Sequence, residues 1–286
     1  MVSQEAVRLT FGFLYCTLLT RKTVGHPFIH LAYAYEFQSK EVGTQALSLG
    51  CTELFEVHGL IDHEPPDSST YKSKSLADVI ERVRTDTRFD GLLAVAGITN
   101  LGPIFQNRFQ EVLEHWNAWE VVDPVQQLEQ CCDLSVLLAI SDGDTEKSFD
   151  FFHIHLMTVA HALRVLWHYI PAERHKAVLR QYALFAIVIY IAQLRPEFGM
   201  EGIESVKPDG RDWDWVVRTA LANKWVLDSH FFKVVRAPKA FDEAYGEKNG
   251  FYLKAAVKFL DEFRGWEGFG DGVEGFVASR DGYRPE

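Results

Sequence analysis

Apolar residues recur along most of the chain at spacings of three and four positions, which is the period of an α-helix. Ile29, Tyr33 and Phe37 form one such stripe, and Ala46 and Leu49 continue the pattern. The same spacing predicts helices in the segments 76–84, 108–144, 148–170, 172–194, 212–237 and from 251 onward. The sequence shows no internal repeat and no regular alternation of strands with helices. The pattern therefore predicts an all-α fold.

Breaks in this pattern mark loops and helix starts. Residues 61–74 contain paired prolines and clustered Asp, Ser and Thr, a composition typical of a loop. Ser75 comes directly before the apolar-periodic run 76–84 and is a predicted N-cap. The run 89–105 is compatible with either a buried helix or a strand. These features predict one multi-helical domain, residues 1–286, with long connecting loops.

Prolines mark further boundaries, because a proline cannot continue the hydrogen bonding of a helix interior. Asp123 and Pro124 divide the segment 108–144 into two helices. The helices predicted in 148–170, 172–194 and 212–237 each end before a proline, namely Pro171, Pro196 and Pro238.

Composition narrows the class of partner. The chain has 286 residues, 47% of them hydrophobic, and a net charge of −11 without a dense basic run, so no nucleic-acid partner is expected. The apolar run FGFLYCTLL, residues 11–19, is too short to span a bilayer and lacks a cleavage site. Cys51, Cys131 and Cys132 lie in apolar helical surroundings and are interpreted as packed free thiols. These observations predict a cytoplasmic protein without a membrane partner.

A helical wheel separates inward from outward histidines. In the segment 148–170, His155 shares its face with large apolar side chains and points at the predicted core. Three other histidines fall with Arg164 on the opposite side and are expected to be solvated: His153, His161 and His168.

His230 lies on the apolar side of the helix predicted in 212–237. Lys233, one turn further on, lies on the same side, which is unusual because burying an unpaired ammonium group is costly. Asp228 and Arg236 fall on the opposite side and are not expected to pair with Lys233. The apolar residues that share the face of His230 are Val226, Leu227, Val234 and Ala237.

The stretch GHPFIH, residues 25–30, places two histidines one helical turn apart. Pro27 is favoured at the start of a helix, where its missing N–H has no consequence. His26 and His30 are therefore expected to project the same way, and His30 shares its face with Tyr33 and Phe37.

Three predicted helices thus direct candidate ligands inward. A single inward histidine is usually part of hydrogen-bonded core packing, whereas several in one all-α core favour a metal site. Imidazole is a ligand for Zn, Cu, Fe and Ni, so the ligand type leaves the metal open. HPFIH lacks the glutamate of a HExxH zinc motif. The inward histidines are His26, His30, His155 and His230, and Lys233 shares the face of His230.

These motifs resemble the questin oxidase-like family of fungal polyketide-pathway oxidoreductases. HPFIHLAYAYEF is similar to the family's HP-x-IH-x-GYA-x-E segment. FFHIHLMTVAHAL is similar to its aromatic-x-MH segment, with Ile154 in place of the usual Met. DSHFFKVVRA is similar to its H-x-x-K-x-x-RA helix, and the resemblance runs from about Thr20 to Ala237.

The resemblance implies oxygen-dependent oxidation of an anthraquinone-like aromatic polyketide, by Baeyer–Villiger-type insertion or by ring cleavage. It also implies O2 and NADPH as co-substrates, and it implies the metal ligands His26, His30, His155, His230 and Lys233. A non-heme Fe(II) centre fits this chemistry, because iron binds O2 and accepts one-electron steps that side chains cannot perform. If Lys233 is one of these ligands, we hypothesise that it is carbamylated, which would give it a carboxylate-like oxygen donor. Lowering of its amine pKa by an apolar setting would favour that reaction.

Two further features concern the NADPH site and the N-terminal region. The only G-x-G-x-x-G, formed by Gly270, Gly272 and Gly275, opens no predicted helix and is interpreted as a loop, so the sequence assigns no NADPH site. The family has a long N-terminal region before the HP segment, so the resemblance also implies an N-terminally truncated domain. The alternative function is therefore that of an inactive helical homologue that binds a flat hydrophobic ligand or a partner.

Overall fold

The computed structural model of the protein describes residues 25–52, Leu60, 65–141 and 148–270. Within these ranges the chain forms twelve α-helices and one pair of two-residue parallel strands, which confirms the predicted all-α class. The helices are α1 His26–Glu36, α2 Lys40–Thr52, α3 Leu76–Thr85, α4 Leu101–Asn107, α5 Phe109–Ala118, α6 Pro124–Ile140, α7 His153–Leu166, α8 His175–Ala192, α9 Glu201–Glu204, α10 Trp213–Leu221, α11 Ser229–Tyr245 and α12 Phe251–Glu262; the strands are β1 Phe149–Asp150 and β2 Trp266–Glu267.

Two neighbouring helices, α7 and α8, form the centre of the fold. Helix α8 packs against α3, α4, α5, α6 and α7, and every residue from Val178 to Ala192 is buried. Helix α7 packs against α1, α6, α8 and α11. Both helices are therefore apolar on nearly all sides, as expected for helices inside a core.

Helix α8 is also the one helix in the described part of the chain that is long and apolar enough to cross a membrane. The candidate span is Ala172–Ala192, and 83% of its most apolar window is buried by the rest of the protein. Such burial is typical of the central helix of a packed core.

The local signals for helix starts are confirmed at two caps. The Ser75 hydroxyl accepts a hydrogen bond from the Asp78 backbone N–H at 3.2 Å, at the start of α3. The Asp123 carboxylate accepts one from the Gln126 N–H at 3.1 Å, and Pro124 is the first residue of α6. The ambiguous run 89–105 contains 3₁₀ turns and the start of α4 rather than a strand.

The prediction of one helix over 212–237, closed by Pro238, is wrong. The chain leaves the helix after Leu221 and starts α11 at Ser229, where the Asp228 carboxylate caps the new N-terminus. Helix α11 then continues through Pro238 to Tyr245. Pro238 is buried together with Ala237 and Ala240, so packing outweighs the roughly 3 kcal/mol that proline costs in a helix interior.

The break before α11 also corrects two assignments to the face of His230. Val226 and Leu227 precede the helix and are exposed, with Leu227 89% accessible. Val234 and Ala237 are buried beside His230, as predicted.

The expectation that His153 and His161 are solvated is wrong as well, since both are buried. The wheel argument assumed one solvent-facing side, but α7 is surrounded by four other helices. The His161 imidazole lies 3.4 Å from the Glu36 carboxylate, and the His153 ring lies beside Tyr190. His168, beyond the end of α7, is exposed as predicted.

Two of the three cysteines predicted to be packed are buried, and the glycine-rich tail is described only in part. Cys131 and Cys132 are buried in α6, and burial raises the pKa of both thiols, which agrees with a packing role. Cys51 is exposed, so its predicted packing is wrong. Gly270 follows the short strand β2, whereas Gly272, Gly275 and the apolar run 11–19 lie outside the described residues.

Acid is expected to destabilise this fold through its buried histidines. Burial lowers the pKa of His161 below 6.5 and outweighs the opposing hydrogen bond to Glu36. The unfolded chain therefore binds a proton that the folded chain resists, and stability present above pH 6.5 is lost as the pH falls towards the lower folded value.

Urea unfolding measured from about pH 7.5 to about pH 5 should show this loss as a falling free energy of unfolding. The decline should become shallower in His161→Gln and stay unchanged in His168→Gln, because His168 is exposed. An equally steep decline in His161→Gln would contradict the assignment.

Candidate metal centre

Three helices bring their first turns to one place. His26 is the first residue of α1, His155 the third residue of α7 and His230 the second residue of α11. The helices run in the same direction, because further along them Glu36 of α1 contacts both His161 of α7 and Arg236 of α11. The three histidines therefore meet at the N-terminal ends of these helices, and the charged cluster of Glu36, His161 and Arg236 lies further along them.

The three imidazoles form a compact cluster. Ring centroids are 5.1 Å apart for His26 and His155, 5.3 Å for His155 and His230, and 6.0 Å for His26 and His230. One nitrogen from each ring lies within 4.8 Å of the other two. Three nitrogens bound to one ion at about 2.0–2.1 Å lie within roughly 3.6 Å of one another, so ring rotations that draw these nitrogens together would place all three on one ion.

The hydrogen bonding of His155 favours a ligand role. Its Nδ1 lies 2.6 Å from the Phe151 carbonyl oxygen, which can only accept, so Nδ1 carries the proton. The lone pair is then on Nε2, which is buried without a hydrogen-bond partner among the described residues. Such a group is costly to bury unless something binds it. A metal ion is the partner that this nitrogen and its two neighbours fit.

The electrostatics of the cluster keep the imidazoles of His155 and His230 neutral. Burial lowers the pKa of His155 well below its usual value, and the neighbouring His26 and His230 lower it further. Burial also lowers the pKa of His230, against the opposing effect of Asp228. Neutral imidazole is the form that binds metals, so protons compete little for this site near neutral pH.

His30 and Lys233 lie beside the cluster rather than within the group of three. The His30 ring is 5.7 Å from the His26 ring, and its Nδ1 is buried without a hydrogen-bond partner among the described residues. Burial lowers the pKa of Lys233 to about 8, and the nearby Asp228 opposes this shift. Its charge acts on His30, His155 and His230, which places it next to the centre.

Aromatic side chains cover one side of the centre. The Phe151 ring lies 4.5 Å from the His230 ring and 4.9 Å from the His155 ring. Phe269 and Trp266 pack on Phe151 at 5.0 and 5.8 Å, and Phe152 contacts Phe269. We call these four residues the aromatic wall. It supplies an apolar surface beside the imidazoles and keeps water away from that side.

The helical wheel placed Asp228 on the side opposite His230 and Lys233, so its role at the site was missed. Its carboxylate caps α11, lies 3.7 Å from His230 Nδ1 and acts electrostatically on Lys233. Burial would raise the pKa of Asp228, but hydrogen bonds to His230 and Trp266 lower it, and the net shift is downward. An Asp two residues before a histidine at a helix start is the signal that would have found it. The other charge assigned to that side, Arg236, pairs with Glu36 as a separate group.

The fold and the site together define a helical protein with a buried three-histidine centre at the start of three parallel helices. The chain belongs to the questin oxidase-like family, whose profile matches residues 18–238, more than half of the chain. The matched segment includes all five predicted ligands.

One curated relative is similar to this chain over most of its length. It is the Baeyer-Villiger oxidase ptaJ of Pestalotiopsis fici, with 23% identity over 244 residues. The alignment covers 76% of this chain and 52% of the relative, so the chain spans about half the length of the relative it matches.

Proposed function

We propose that this protein is an oxygen-dependent oxidoreductase that acts on an anthraquinone-like aromatic polyketide at a histidine-ligated non-heme iron. The observation that carries the proposal is the convergence of His26, His155 and His230, with ligand nitrogens within 4.8 Å of one another. Membership of the questin oxidase-like family and the name of the relative support the oxidative chemistry.

The donor set fits a first-row transition metal. Three imidazoles suit Fe, Zn, Cu and Ni alike, and the redox chemistry of the family favours iron among them. When bound, iron would supply the O2 binding and one-electron steps that amino-acid side chains cannot perform. The chain's own residues hold the site: the Phe151 carbonyl fixes the His155 tautomer, and the aromatic wall excludes water.

We propose Lys233 and His30 as two additional ligands. Lys233 lies one turn after His230 in α11, and His30 lies one turn after His26 in α1. Among the described residues Lys233 forms no salt bridge, and its pKa of about 8 leaves roughly a fifth of the amine neutral near pH 7.4. The neutral Nζ lone pair can form an N–C bond to CO2 with release of one proton, which gives a carbamate. That product exchanges a buried cation for an anionic oxygen donor beside the imidazoles.

The aromatic wall defines the substrate side of the proposed site. Phe151, Trp266 and Phe269 offer ring faces to a flat aromatic ligand next to the imidazoles.

In an insertion reaction one oxygen atom of O2 enters the substrate and the other leaves as water, with two electrons supplied by NADPH. In a ring cleavage both atoms enter the substrate and no external reductant is consumed. We place this reaction in the cytoplasm.

Metal analysis after anaerobic reconstitution with Fe(II) tests the proposal. We expect about one iron per chain after desalting, and O2 uptake when a hydroxylated anthraquinone and NADPH are added. The product mass, greater by one or by two oxygen atoms, distinguishes insertion from cleavage. His168→Ala, at an exposed histidine, is the matched control and should retain its iron. Protein that binds the anthraquinone but retains no iron would overturn the proposal in favour of a metal-free binding role.

A further inference from the structure

The Asp228 carboxylate contacts the first backbone N–H groups of α11, the His230 ring and the Trp266 indole. Its Oδ1 accepts hydrogen bonds from the backbone N–H groups of His230 at 2.8 Å and Phe231 at 3.3 Å. The same oxygen lies 3.7 Å from His230 Nδ1. Its Oδ2 accepts a hydrogen bond from the indole N–H of Trp266 at 2.6 Å. The side chain is only 8% accessible, so water does not replace these contacts.

Trp266 is held in place by its own surroundings. It lies in β2 and pairs with Phe149 of β1, the strand that leads into α7. Its ring packs on Phe263 at 4.5 Å and on Phe151 of the aromatic wall at 5.8 Å. The indole N–H therefore reaches Asp228 from a fixed position. Trp266 also lies beyond the matched segment 18–238, so the family motifs do not include it.

We propose that Asp228 and Trp266 are positioning residues for His230, an inference that rests on the proposed metal centre. The negative carboxylate faces Nδ1 and keeps the proton on that nitrogen, which leaves the Nε2 lone pair for the metal. Trp266 fixes the rotamer of the carboxylate by occupying its other oxygen. Carboxylates in this position raise the basicity of a ligating imidazole and set its orientation.

A capping role alone predicts different behaviour from a positioning role. Asn caps a helix about as well as Asp, so Asp228→Asn should retain the start of α11 while removing the charge that faces Nδ1. Trp266→Phe keeps an aromatic ring in the same place but has no N–H to donate.

The chain offers a matched control pair for both changes. The Trp213 indole N–H donates to Asp242 Oδ2 at 2.9 Å, the same kind of contact on the same helix. Asp242 lies twelve residues beyond His230 in α11, which corresponds to about 18 Å of helix. Trp213→Phe and Asp242→Asn therefore remove an equivalent hydrogen bond far from the centre.

Titration of the metal-free protein with Co(II), followed by visible absorption, tests the inference. We expect Asp228→Asn to bind Co(II) about 10–100-fold more weakly and Trp266→Phe several-fold more weakly, both with altered ligand-field bands. Trp213→Phe and Asp242→Asn should match the wild-type affinity and spectrum, with a similar loss of thermal stability.

The two ways in which this experiment can fail are distinguishable. Wild-type affinity and an unchanged spectrum in both site variants would overturn the positioning role and leave the metal centre intact. A wild-type protein that binds neither Co(II) nor Fe(II) would overturn the metal centre and this inference with it.

Discussion

Replacing His155 with alanine is expected to abolish stable iron binding, with at least about a 100-fold loss of metal affinity and loss of O2 uptake. His155 is completely buried, its Nδ1 is committed to the Phe151 carbonyl, and its Nε2 faces the other two imidazoles. Removing it leaves two of the three clustered nitrogens. Iron per chain after desalting and O2 consumption measure the effect.

A matched variant separates metal loss from damage to the fold. His153 is also buried in α7, two residues before His155, but it is not part of the three-histidine cluster. His153→Ala should lose stability to a comparable extent and still retain iron. Equal iron content in the two alanine variants would contradict the assignment of His155 as a ligand.

The second large effect is expected at Lys233. If its amine carries a carbamate, wild-type iron content should fall several-fold in protein prepared without CO2 and recover when bicarbonate is added. Lys233→Ala should bind iron weakly under both conditions, because it cannot form the carbamate. Isotope-labelled bicarbonate and carbon NMR should show one carbamate signal in the wild-type protein.

Lys258 provides the matched control for this experiment. It is also buried, but its ammonium group is paired with the Glu262 carboxylate at 2.8 Å, whereas Lys233 forms no salt bridge among the described residues. Lys258→Ala should lose no carbamate signal and should keep its bicarbonate-dependent iron content. An iron content that is indifferent to bicarbonate in the wild-type protein would exclude a carbamate ligand at Lys233.

The sequence was sufficient for most of the helices and for the inward direction of His155 and His230. Spacing and caps are local properties, so Ser75 and Asp123 could be recognised without the fold. His155 and His230 could be recognised because each shares a face with apolar neighbours.

Other features depend on which elements become neighbours, and a wheel drawn for one helix does not contain that information. His153 and His161 are buried because α7 is enclosed by other helices. Pro238 is tolerated because the surrounding packing holds α11 together. Trp266 reaches Asp228 from a strand thirty-eight residues later in the chain, a pairing that no local pattern predicts.

The shared direction of α1, α7 and α11 also gives the centre an electric field. The aligned peptide dipoles of a helix are equivalent to about half a positive charge at its N-terminus. Asp150 accepts hydrogen bonds from the first N–H groups of α7, and Asp228 does so for α11, so two of the three N-termini carry a compensating carboxylate.

Among the described residues helix α1 has no such carboxylate, because its cap is Gly25 and its first turn contains no acidic residue. The N-terminus of α1 therefore contributes positive potential next to His26. A negatively charged oxygen, such as the phenolate of the proposed hydroxylated aromatic substrate, would be stabilised there more than the neutral phenol. The direction of the α1 backbone would thus favour ionisation of that proposed substrate before any side chain acts on it.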